Sequence, residues 1–211
     1  MEESYQSLFS RGGPVMYAIL CCSIISLAVF IERIWSLRKR HVIPEDFTGR
    51  IFALLDTGKT DESMAACNEN SSSIARIASA IIRMKGRPLE KIEAAAESAG
   101  KSESVRLERF IGWLGLIATV SPLLGLLGTV TGMIKMFQQV SARGIGDHKF
   151  VAMGIWEALV ATASGLIVAI PAFIAYRYLT AKVDYLVLHL EENAQIIIEK
   201  LEESGGKGEE K

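Results

Sequence analysis

The sequence holds little of what an enzyme or a nucleic-acid binder needs. Three cysteines among 211 residues make no disulfide framework. Cys21 and Cys22 are adjacent inside an apolar run and Cys67 stands apart, which fits reduced thiols acting as small hydrophobes. The three histidines, His41, His148 and His189, show no ligand spacing, so no metal site is assigned. A formal net charge of −1 leaves no basic surplus for a phosphate backbone, which argues against nucleic acid as a partner. No strand alternation and no internal repeat is visible. Gly125 to Gly132 has the glycines of a phosphate loop but the wrong spacing and no adjacent Lys-Ser/Thr pair. No cofactor and no catalytic residue is expected.

Apolar residues are what the chain has in quantity, at 50% of the composition. Phe110 to Ile134 carries no charge at all, and Pro14 to Ile31 and Ala158 to Tyr176 are two further apolar runs. A bilayer core needs about 20 such residues per helix, so each run is long enough for one crossing. The first run is no convincing secretory signal: Glu2 and Glu3 precede it, no small-x-small site follows, and Arg38, Lys39 and Arg40 close it. It is expected to stay in the mature protein. Basic flanks set the orientation. Arg38 to Arg40, Arg106, Arg109, Arg177 and Lys182 lie on one side, against Arg11, Lys135, Arg143 and Lys149 on the other. The positive-inside rule then puts the N-terminus outside and the C-terminus in the cytoplasm.

The expected organisation is an all-α integral membrane protein with three transmembrane helices. Residues 1–13 form an external segment, 14–36 the first span, 37–109 a cytoplasmic helical region and 110–137 the second span. Residues 138–154 make an external loop, 155–179 the third span, and 180–211 a cytoplasmic helix with a disordered tail from Ser204. Pro88 suits a helix start, and Ile92, Ala95, Ala96, Ala99, Leu107 and Phe110 then keep helical phase into the second span. One long helix, weakest at Gly100, is expected there. After the third span, Val183, Leu186, Val187, Leu190, Ala194, Ile197, Ile198 and Leu201 recur like a buried seam. That seam needs cover from the helix before the second span, from another subunit, or from both. Helices 2 and 3 are thus both expected to extend into the cytoplasm.

The candidate functional residues lie in the second and third spans. Gly125, Gly128 and Gly132 recur at helical spacing and leave one face bare for close approach of another helix. Ala158, Ala161, Gly165, Ala169 and Ala172 make a matching smooth stripe on the third span, and Pro171 removes one backbone bond there. Thr129 is eight residues before Phe137 and Thr162 eight residues after Gly154, which sets both hydroxyls about 12 Å below the outer boundary. Such a pair forms a polar layer, with Ser164 adding a hydroxyl, unless each threonine bonds to its own preceding turn. Glu157 is either an interfacial acid reaching the headgroups or an acid at the mouth of a polar path, with Lys135 within reach as partner.

Two long stretches carry a resemblance: Pro122-Leu-Leu-Gly-Leu-Leu-Gly-Thr-Val-Thr-Gly-Met133, and Gly154-Ile-Trp-Glu-Ala-Leu-Val-Ala-Thr-Ala-Ser-Gly-Leu-Ile-Val-Ala-Ile-Pro171. With Gly12-Gly-Pro-Val-Met16 and Glu32-Arg33, they make the chain resemble the MotA/TolQ/ExbB proton-channel family, most of all its ExbB branch. The resemblance implies an inner-membrane homopentameric ring whose second and third helices line a central pore. It implies a dimer of an ExbD-like single-span partner in that pore, use of the proton motive force, and a TonB-like protein that receives the movement. By position in the motifs, Thr129 and Thr162 match the family's pore threonines, Glu157 its third-helix glutamate and Pro171 its third-helix proline. A TolQ-like subunit of the Tol-Pal system is the near alternative. A solute permease and a non-conducting membrane scaffold are the readings from other classes.

Overall fold

The computed structural model describes residues 13–143 and 148–206, and every regular element in them is an α-helix. In chain order these are α1 (Val15–Ser36), α2 (Lys39–Val42), α3 (Glu45–Asp56), α4 (Thr60–Glu69), α5 (Ser73–Ile82), α6 (Leu89–Glu108), α7 (Ile111–Arg143) and α8 (His148–Gly206). Three of them, α1, α7 and α8, are long and apolar enough to cross a membrane. The chain divides into two compact units: one of residues 1–32 and 110–178, the other of residues 33–109 and 179–211.

In the first unit, α1, α7 and the first half of α8 pack around Val15, Met16 and Ile19, with Leu124, Val160 and Val168 against them. Much of the remaining surface is apolar. Leu123, Leu126 and Val130 of α7 and Leu159, Ile167 and Phe173 of α8 are all exposed, as helices facing lipid or further subunits require.

The second unit has an apolar core of its own. The amphipathic α5 buries Ile74, Ile77, Ala78 and Ile81, and its N-terminus is capped by Ser72, whose side chain accepts from the Ala75 amide. The turn after α3 is made by Gly58 at φ +71°, a conformation glycine adopts without steric cost. The α8 seam is buried along its length at Leu179, Val183, Leu186, Leu190, Ala194, Ile197 and Leu201. Within the unit, Lys200 of α8 reaches Asp56 of α3 at 2.6 Å. Glu103 is buried, and Arg76 donates through Nε and Nη2 to its two carboxylate oxygens at 2.5 and 2.6 Å. Burial alone would raise the Glu103 pKa. The hydrogen bonds from Arg76 and Ser73, with the charges of Arg76 and Arg106, outweigh it and hold the carboxyl below its ordinary value. Burial also pushes the Cys67 thiol up to about 11.

Three expectations change. The long helix into the second span is two helices: α6 stops at Glu108, and α7 starts at Ile111. The break falls at Phe110, whose φ of +67° lies in the left-handed region. Gly100 stays inside α6. Apolar phase alone could not show this, because a side chain can keep phase across a backbone break. Of residues 138–154, expected as a loop, those up to Arg143 and from His148 are helical. Nothing in Gln138 to Ala142 breaks a helix. At the other end, α8 takes in Ser204 to Gly206, which were expected in the disordered tail, and residues 207–211 of that tail lie outside the described residues. Residues 1–12 of the expected external segment also lie outside them.

Candidate functional site at the glycine seam of the apolar helices

The seam between α7 and α8 is backbone against backbone. Gly125, Gly128 and Gly132 are all buried. A methyl group on Gly128 would collide with the Ala161 methyl, and one on Gly125 would sit 3.0 Å from both Ala161 O and Thr162 Cα. On Gly132 it would meet Ala158 Cβ at 3.3 Å, and on Gly165 it would lie 2.5 Å from Ser121 O. The expected small-residue stripes therefore meet each other. Helices in lipid gain from such contact through dispersion, because hydrophobic burial offers them little.

That closeness gives Thr162 its partner. Its Oγ1 donates across the seam to Gly125 O at 3.2 Å, a carbonyl that a bare glycine leaves open. Thr129 instead donates to Leu126 O of its own turn at 2.7 Å, the locally bonded alternative. Thr162 stands opposite Gly125, which precedes Thr129 by four residues, about 6 Å along the helix. The equal-depth layer derived from the loop ends is therefore displaced by about one turn. Counting residues cannot anticipate it, because the contact level depends on how the helices cross. Ser164 is half-buried beside Gly165 on α8. Sequence reasoning missed Ser121, which is fully buried with its hydroxyl unpartnered among the described residues. Its only signal was a hydroxyl just before Pro122 in an uncharged run.

Pro171 is exposed on α8 and lines an open groove of about 550 Å³ with Ser23, Leu27 and Phe30 of α1. Its missing N–H leaves Ile167 O without a helical donor.

Glu157 and Lys135 are brought together. Lys135 Nζ lies 2.6 Å from Glu157 Oε1, with the carboxylate side chain 19% exposed and the lysine 47%. The turn that starts α1 lies on this pair. Gly13 has φ +71°, and a Cβ there would stand 2.7 Å from Glu157 Oε1 and 3.3 Å from Lys135 Nζ. Three helices thus meet at one ion pair, and α7 carries no ionisable group between Ile111 and Ile134. Among the described residues no group of three or more metal-ligating side chains comes together.

The chain is similar to known proteins over most of its length. Residues 69–192 match the family described as MotA/TolQ/ExbB proton channel family. The chain belongs to the MotA/TolQ/ExbB proton channel family. Its members are channel and motor proteins, not enzymes, and this one is a multi-pass membrane protein and a proton-channel subunit of the ExbB/TolQ kind. Among its relatives is a putative ExbB-like biopolymer transport protein of Synechocystis sp., 35% identical over 179 residues, which are 82% of this chain and 69% of the relative. The Tol-Pal system protein TolQ of Pseudomonas aeruginosa is 28% identical over 184 residues, 82% of this chain and 80% of that one. The biopolymer transport protein ExbB of Salmonella typhimurium is 29% identical over 178 residues, 77% of this chain and 70% of its own.

Proposed function

We propose that this family member is the ring-forming subunit of a proton-driven motor of the ExbB type. Five copies surround a pore lined by α7 and α8, and an ExbD-like dimer of single-span chains stands inside it and supplies an acid at the level where α7 carries none. Proton passage between that acid and the ring's hydroxyls then moves one component against the other, and a TonB-like protein carries the movement to outer-membrane transport. In this reading the second unit is cytoplasmic, the Gly13 end of α1 is external, and the membrane is the bacterial inner membrane.

The single observation that carries the reading is the Thr162 hydrogen bond to Gly125 O within an uncharged, glycine-lined seam. It pairs a hydroxyl with a backbone carbonyl across an uncharged helix seam, which supports a polar layer there. Family membership supports it. The alternative, a TolQ-type subunit of an envelope system, draws on relatives such as the Pseudomonas TolQ, which aligns over 80% of its own length. Both readings share the ring, the acidic partner and the proton path.

The test is proton flux into vesicles holding the chain and its single-span partner. Losing one hydrogen bond of about 1 kcal/mol predicts that Thr162→Ala lowers flux about fivefold while the assembly survives. Unchanged flux in that variant would remove Thr162 from the path.

A further inference from the structure

Lys135 needs a role that the proton path does not give it. An ammonium on the second apolar helix could reach toward headgroups by its own length, yet it turns to Glu157 at 2.6 Å. The glutamate side chain is largely covered and the lysine is half exposed. The start of α1 closes over both. At Gly13 even a methyl would touch the carboxylate, and the positive φ there already disfavours any other residue. A carboxylate paired with an ammonium, with a glycine turn against both, has little freedom of place.

We propose that Lys135 is the positioning residue for Glu157. It fixes the carboxylate of α8 against the Gly13 turn, so the position of the acid at the edge of the span is set jointly by α1, α7 and α8. This deepens the proton-channel reading and rests on it for what Glu157 is positioned to do. The pairing itself does not depend on that reading. Lys135→Met keeps much of the stem and removes the charge. Lys135→Arg keeps the charge with a different head. The exchange Lys135→Glu with Glu157→Lys keeps the pair and moves the acid to α7.

Two measurements test this on the full chain. The first needs no transport: labelling of Glu157 by a hydrophobic carbodiimide, read by peptide mass spectrometry of the detergent-purified protein. Lys135→Met is expected to raise labelling up to about fivefold over the parent, with Lys135→Arg staying near the parent. Equal labelling of parent and Lys135→Met would overturn the assignment. The second is proton flux with the single-span partner. Loss of flux in Lys135→Met, its retention in Lys135→Arg, and continued loss in the exchanged pair despite a parental melting temperature are expected. Full flux in Lys135→Met, or flux restored by the exchange, would show that the pair only clamps helices together. Absent flux in the parent would refute the channel reading, and the labelling result would still decide on Lys135.

Discussion

A methyl group at Gly128 has nowhere to go, because the Ala161 side chain already occupies its place. Gly128→Leu is therefore expected to force α7 and α8 apart at an overpacking cost of about 1–3 kcal/mol, read as a lower melting temperature and weaker assembly in detergent. Gly100, whose missing side chain faces open space, should accept alanine without loss and even gain slightly from the better helix former. Cys67 is buried with its thiol pushed up to about 11, so it should resist maleimide at neutral pH until the second unit unfolds. Rapid labelling of the folded protein would contradict that placement. The glycine spacing and the Lys135–Glu157 reach were legible in the sequence, because each depends on helical periodicity or side-chain length. The partner of Thr162 and the burial of Ser121 were not. Both depend on the crossing of two helices, which no single-chain periodicity encodes. Gly13 was visible only as part of a motif, and its contact with the ion pair needed the fold.

The elements repeat this division between local and non-local information. The apolar spans and the α8 seam could be read from the sequence because burial at three- and four-residue spacing leaves a direct trace. The break between α6 and α7 left none: Phe110 is neither glycine nor proline, yet it takes φ +67°. Within the second unit the Arg76–Glu103 pair joins α5 to α6, and Glu103 is buried. Arg76→Ala would leave a buried carboxylate without its cation, at a cost of about 3–5 kcal/mol, measurable by denaturant unfolding. The Glu103 carboxyl is held below the ordinary value of 4.5. Its contribution is therefore fully present above the unfolded-state pKa and is lost as pH falls through the folded one. The parent should lose stability on acidification below about 4.5 more steeply than Glu103→Gln. Parallel acid profiles for the two proteins would contradict the role given to this pair.

For the whole molecule, composition and motif order together pointed to the family, and the match over residues 69–192 established it. The ring proposed above would exist only between copies. Leu123, Leu126 and Val130 of α7 and Leu159, Ile167 and Phe173 of α8 are exposed, and α7 carries no acid between Ile111 and Ile134. The central claim is that these faces close into a ring around an acidic partner. Native mass spectrometry of the detergent-purified chain, alone and co-expressed with its single-span partner, tests it most directly. The account predicts five copies alone and five plus two with the partner. A monomer or a simple dimer that ignores the partner would contradict it, and the scaffold reading would take its place.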